Sequence, residues 1–237
     1  MRRWGWPAAW AAVAVLAVLA GSQWLLPPAF SSRVARVIGR AVEARAVEAV
    51  VYSFPALKLL AGEVDLLRVD ARAARLGELR VSGLLLDAGG VRIDAGRLLR
   101  RGELAFQRVE RLRATLYFSE EDLNAYLWAT VDPQRLLKVR LERGRVHVSG
   151  RVPLLSLALK LDLEGRFVIE GPDAIRFVPE RVAVEEAEIP RFLLDAFLRE
   201  KLTVPLQLKG LPVPVHLTEL RLEEGHLYLF AARDGQL

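Results

Sequence analysis

Leu155-Ser156-Leu157-Ala158-Leu159-Lys160-Leu161-Asp162-Leu163-Glu164-Gly165-Arg166-Phe167-Val168-Ile169 is the stretch whose reading decides the fold. Leucine recurs at every second position from 155 to 163, and Phe167 and Ile169 continue the series after a gap at Gly165. Ser156, Lys160, Asp162, Glu164 and Arg166 fall between them. Successive side chains of a strand point to opposite faces, so this pattern predicts one dry and one wet face. Most strands have about 5–6 residues, and at roughly 3.3 Å per residue this one would span about 50 Å. Such a strand suits an elongated sheet curling round an apolar interior, with Gly165 as the natural place for a bend or bulge.

Shorter patterned runs flank it. Strands are predicted near 50–54, 64–74, 78–88, 90–94, 111–118, 137–143, 145–152, 174–184, 215–223 and 226–232. Gly89-Gly90, Arg143-Gly144, Pro153 and Glu224-Gly225 read as turns. Ala56 to Leu60 can form a helical turn closed by Gly62, and Gly96 to Gly102 encloses a basic turn with Arg97, Arg100 and Arg101. Ser31 and Ser32 offer an N-cap after Pro27-Pro28 breaks the preceding segment. Val34, Val37, Ile38, Ala41, Val42 and Ala49 then follow at near-helical spacing. Ser119 to Asp122 has the form of a capping box opening a helix with Leu123, Tyr126 and Leu127 on one face. Pro190 begins a further predicted helix that carries Phe192, Leu193, Ala196 and Phe197. Many strands, few helices and no βαβ alternation give an α+β fold with a long, curved, largely antiparallel sheet.

The chain has 237 residues, 52% of them hydrophobic, which is ample for one core after a leader. It contains no cysteine, so disulfides and thiolate metal sites are excluded. His147, His216 and His226 are too scattered to suggest a histidine-based metal centre. The net charge of +5 is uneven: residues 33–113 have a balance of +6, residues 114–237 one of −3. A modest basic bias favours an anionic membrane surface. Nucleic acid is disfavoured, because no Lys/Arg tract, aromatic RNA motif or finger pattern accompanies the charge.

Trp4 to Leu26 is apolar apart from Ser22 and Gln23, and it follows Met1-Arg2-Arg3. The positive end favours the cytoplasmic side, which sends the rest of the chain across the membrane, although Arg33, Arg36 and Arg40 reduce the asymmetry. Two readings stay open. A cleaved signal peptide would end near Val18-Leu19-Ala20. An uncleaved single-pass anchor, with Trp4, Trp6, Trp10 and Trp24 as interfacial residues, needs about 20 residues. The expected division is 1–30 as leader or anchor and 31–237 as one extracytoplasmic domain. A long apolar trough in an exported protein points to lipid.

Catalytic motifs are missing. There is no G-x-S-x-G elbow, P-loop or G-x-G-x-x-G. Glu120, Glu121 and Asp122 form a carboxylate cluster, but a helix N-terminus attracts acids on electrostatic grounds alone. Glu185, Glu186 and Glu188 read as a solvated turn, with calcium as the alternative. His147 sits on the expected wet face of a strand. No catalytic residue, cofactor or metal is assigned.

Three segments carry a family resemblance. Phe54-Pro55-Ala56-Leu57 with Leu60-x-Gly62 precedes a strand. Phe118-Ser119-Glu120-Glu121-Asp122-Leu123-Asn124 follows a strand and opens a helix. Leu211-Pro212 precedes a final hairpin with Glu224-Gly225-His226-Leu227. In this order the set resembles the LmeA-type phospholipid-binding family of bacterial envelope proteins over about residues 33–235. The resemblance implies a TULIP-like fold, a coiled antiparallel sheet wrapped around helices, and a non-catalytic phospholipid-binding function in the cell envelope. On this reading acyl chains lie against Phe54, Leu57, Leu60, Leu85, Leu116, Phe118, Tyr126, Leu127, Leu157, Leu159, Leu161, Phe192 and Phe197. Arg97, Arg100 and Arg101 meet the phosphate. The rivals are a membrane-anchored scaffold with a fully packed sheet and an enzyme acting on lipid or glycan.

Overall fold

The alternating stretch forms a strand from Leu157 to Ile169 in a computed structural model that describes residues 5–154, 157–185, 203–205 and 215–233. In chain order the elements are α1 (Gly5–Ala41), β1 (Ala46–Tyr52), a 3-10 helix (Ala56–Ala61), β2 (Glu63–Leu76), β3 (Leu79–Ile93), α2 (Ala95–Arg101) and β4 (Phe106–Ser119). They continue with α3 (Glu120–Thr130), β5 (Leu137–Glu142), β6 (Arg145–Leu154), β7 (Leu157–Ile169), β8 (Ala174–Glu185), β9 (Thr203–Pro205), β10 (His216–Glu223) and β11 (His226–Ala232). The fold is α+β, with two antiparallel sheets where the sequence suggested one. Their strand orders are β1-β2-β3-β4-β11-β10 and β5-β6-β7-β8-β9. The helix expected after Pro190 lies outside the described residues.

Two compact units share the chain. The first comprises residues up to Ala41, Ala46–Asp70 and Leu86–Leu112; the second comprises Val42–Arg45, Ala71–Leu85 and the described residues from Arg113 onward. The long strands β2, β3 and β4 contribute one half to each.

In the first unit, α1 packs against β1 and the 3-10 helix. Phe30, Val34 and Ile38 are buried at four-residue intervals, which places them on one stripe of the helix. Further toward the N-terminus the helix is apolar and exposed, including Trp10, Val13, Leu16, Val18, Trp24 and Leu25. Pro27 and Pro28 do not break it. They remove two backbone donors, a loss of about 3 kcal/mol or more for an interior proline. The packed stripe that begins at Phe30 holds the helix together beyond them. Ser31 is therefore no N-cap; its hydroxyl accepts the Val51 N–H at 2.9 Å and ties β1 to the helix. Helical spacing stops at Ala41, and Ala49 belongs to β1.

Gly89-Gly90, expected as a hairpin turn, lies inside β3. A Cβ at Gly89 would sit 3.0 Å from the Arg111 guanidinium, and one at Gly90, where φ is +60°, would overlap the Glu110 carboxylate. These glycines serve close approach rather than reversal. The expected basic turn at 96–102 is the helix α2, capped by Asp94, whose carboxylate accepts the Arg97 N–H at 2.8 Å. Pro153 also lies within a strand, opposite Ala158.

In the second unit, Leu161 and Leu163 are buried while Lys160, Asp162 and Arg166 are exposed, as the alternation predicted. Leu163 pairs with Val148 on β6 and with Val182 on β8. The β7–β8 register shifts between Glu164 and Gly165, which is the expected bulge. Across β4 and β11, Leu116 faces Leu229 and Phe118 faces Leu227, all fully buried. Full burial of such side chains stabilises by about 1.5–3 kcal/mol each. α3 opens with the expected capping box. Ser119 Oγ accepts the Asp122 N–H at 3.2 Å, and the Asp122 carboxylate accepts the Ser119 N–H at 3.0 Å.

A Cβ at Gly165 would overlap the Val178 carbonyl oxygen and lie 2.9 Å from the Phe177 ring. Gly165→Ala is expected to destabilise the protein by about 1–3 kcal/mol, read as a fall of several degrees in Tm in mild detergent. Gly21→Ala, inside α1 with nothing within 4 Å of the added carbon, is expected to hold or raise Tm.

Candidate functional site

The segment from Tyr52 to Ala61 turns the end of β1 into the start of β2. Ser53 is buried and its hydroxyl donates to the Glu63 carbonyl at 3.1 Å. The 3-10 helix that follows repeats every three residues. Ala56 and Leu59 consequently face inward and are fully buried, while Leu57 and Leu60 face outward and are 37% and 54% exposed. Phe54, before them, is 65% exposed. Three large apolar side chains thus stand on the surface of one rigid turn.

Three side chains hold that turn. The Gln23 amide of α1 binds it in both directions: Nε2 donates to the Ser53 carbonyl at 3.2 Å, and Oε1 accepts the Ala56 N–H at 2.9 Å. Asp65 on β2 accepts the Phe54 N–H at 2.8 Å and pairs with Lys58 at 3.5 Å. The Phe54 N–H holds the Asp65 carboxyl below the ordinary carboxylate range; burial opposes it, and the Lys58 charge adds a smaller lowering effect.

Helix α2 adjoins the 3-10 helix and α1. Leu98 is its buried anchor, and Leu99 is exposed. Arg97, Arg100 and Arg101 are exposed. Arg97 lies 3.4 Å from the Asp94 carboxylate, and Arg100 Nε donates to the Gly96 carbonyl at 3.3 Å. The first unit therefore presents exposed apolar side chains on the turn and arginines on the adjoining short helix. That combination can meet an amphiphile with an anionic head.

The remaining expected residues lie in the second unit. Leu85 is exposed on β3; Leu116, Phe118, Leu127 and Leu161 are buried; Tyr126 is half-buried. Burial pushes the Tyr126 phenol above its ordinary value. The side chains of Leu157 and Leu159, and all of Phe192 and Phe197, lie outside what the structure describes. Sequence reasoning passed over Tyr52 and Leu99 and gave Gln23 no role. An amide inside an apolar segment was the available signal for Gln23.

The acidic cluster at α3 is held in backbone and hydroxyl contacts. Glu120 accepts the Leu141 N–H at 2.6 Å, and Asp122 also takes hydrogen bonds from Ser82 and Ser119. Buried Asn124 bonds the Val139 N–H and C=O at 2.8 Å each, as a neighbouring strand would. Glu186 and Glu188 of the acidic segment near 185 lie outside the described residues. Among the described residues, no group of three or more His, Asp or Glu could hold a metal ion.

Because the folded-state pKa of Asp65 is depressed, its contribution to stability is present above the ordinary carboxylate pKa and disappears as pH falls through the lower folded value. Hydrogen exchange at the Phe54 amide, corrected for intrinsic rate, is expected to show protection at neutral pH and its loss in acid. Asp65→Ala is expected to lose that protection at neutral pH as well.

Comparisons with curated proteins and with solved structures found no match. The model of a family described as LmeA-like phospholipid-binding matches residues 22–231, a span that includes Gln23, the 52–61 turn, α2 and the α3 capping box. This chain belongs to the LmeA-like phospholipid-binding family.

Proposed function

We propose that this protein is a non-catalytic phospholipid-binding protein of the bacterial cell envelope, tethered by α1 with its strand-rich part outside the cytoplasm. The family membership carries the ligand class. The tether is supported by α1, the one helix among the described residues long and apolar enough to cross a membrane. Arg2 and Arg3 before it support the orientation. Acyl chains meet Phe54, Leu57 and Leu60, and the phosphate meets Arg97, Arg100 and Arg101. The wider acyl-contact set, from Leu85 to Phe197, and the sheet wrapped in TULIP fashion belong to the same reading; the 14 or 15 residues of β2, β3 and β4 support the latter. Lipid transport or envelope maintenance is the role that such binding would serve.

A second reading, a membrane-anchored scaffold without a lipid cavity, draws on the complete burial of Leu116 and Phe118. Lipid extraction and mass spectrometry of the full chain, purified in mild detergent, separate the two. Stoichiometric phospholipid is expected. A folded, lipid-free protein that takes up no added phospholipid would favour the scaffold.

Each basic side chain near an anionic surface contributes about 1 kcal/mol. Replacing Arg97, Arg100 and Arg101 together by Gln is therefore expected to weaken binding of a short-chain anionic phospholipid on the order of a hundredfold. Binding of the zwitterionic analogue is expected to change far less. Equal losses for both would remove the arginines from the head-group role.

A further inference from the structure

Ser22 and Gln23 are the polar residues in the apolar stretch from Trp10 to Leu26. The Ser22 hydroxyl donates to the Leu19 carbonyl within the helix, at 2.8 Å. Gln23 instead reaches out of α1, and both ends of its amide are satisfied by the backbone of the 53–56 turn. An amide without such partners is costly at membrane depth. The position of Gln23 along the helix fixes where the turn stands. A span needs about 20 residues at 1.5 Å each. Trp10, Val13, Leu16, Val18, Trp24 and Leu25 are exposed and packing of the helix begins at Phe30, so the stretch free to stand in hydrocarbon ends beside Gln23, where Trp24 is 84% exposed. The turn that Gln23 binds is therefore level with the boundary between hydrocarbon and head groups. Its outward side chains are Phe54, Leu57 and Leu60, with Tyr52 also exposed.

We infer that the 52–60 turn is a membrane seat: Phe54, Leu57 and Leu60 insert into the bilayer interface beside the helix, and Gln23 is the residue that positions them. The inference rests on the tether proposed above. Its occupant is the surface of the bilayer that α1 crosses. The neighbouring charges fit the head-group layer. Lys58 pairs with Asp65 at the rim of the turn, and the adjoining α2 carries Arg97, Arg100 and Arg101. Seated in this way, the turn meets lipid of its own membrane without leaving it.

The absence of cysteine makes the test clean. Phe54→Cys, Leu57→Cys and Leu60→Cys variants of the full chain each receive one environment-sensitive fluorophore. They are placed in phosphatidylcholine–phosphatidylglycerol liposomes carrying a spin label near the lipid head group. Emission typical of lipid is expected at all three positions, with quenching several-fold above that of Glu78→Cys in the exposed β2–β3 turn. Adding Gln23→Leu, which keeps the helix apolar, is expected to return the Leu57→Cys probe to the aqueous signal while the protein still floats with the liposomes. Quenching no greater than at position 78 overturns the seat. So does a shielded but unquenched signal, which would assign the turn to a second copy of the chain. Failure of the full chain to float overturns tether and seat together. Lipid extraction from the same detergent-purified variants reports phospholipid binding separately, so loss of the seat is distinguishable from loss of the ligand.

Discussion

The side-chain amide of Gln23 is the contact on which the proposed site depends. It joins an apolar helix to a turn whose outward residues are apolar, and it does so through backbone groups that the turn itself leaves unpaired. Buried or membrane-level polar groups need partners. Here one amide satisfies a donor and an acceptor at once. Ser31 repeats the arrangement two turns later with the Val51 N–H, and Asp65 secures the far side through the Phe54 N–H. The turn is thus fixed to α1, β1 and β2, and its three-residue period decides which side chains are left outside.

Polar satisfaction also organises the second unit. Asn124 extends the β5 edge from a helix, Glu120 caps the Leu141 N–H, and Asp122 closes the start of α3. Glu120 and Asp122 are the groups that a search for general acids and bases would pick out first. Both hold backbone and hydroxyl groups of the second unit. The apolar pairs between β4 and β11 supply the packing around them.

The sequence made some of this plain and concealed the rest for physical reasons. Period-two alternation located β7 and its wet and dry faces, and the gap at Gly165 marked the bulge, because both effects are local. The capping box at Ser119 was equally local. Pro27-Pro28 and Gly89-Gly90 misled for the opposite reason. Their outcome depends on what packs nearby: Phe30, Val34 and Ile38 for the helix, and the Glu110 and Arg111 side chains for the strand. Two sheets were read as one because strand order is a long-range property. Among the expected ligand contacts, Leu57 and Leu60 are exposed together because the 3-10 period governs them, and Phe54 is exposed just before that helix. Whether Leu116 or Phe118 would face a cavity or a core depends on the opposite strand, which alternation alone does not identify. Gln23 was visible as a polar interruption, but its partners lie 30 or more residues away.

The central claim is that phospholipid meets this protein at the turn held by Gln23. Photo-crosslinking tests it most directly: the full chain in liposomes is irradiated with a phospholipid carrying a diazirine on its acyl chain, and the adducts are mapped by mass spectrometry. The account predicts adducts on Phe54, Leu57 or Leu60 in addition to those on α1, and their loss in Gln23→Leu. Adducts on α1 with none between residues 52 and 61 would contradict it.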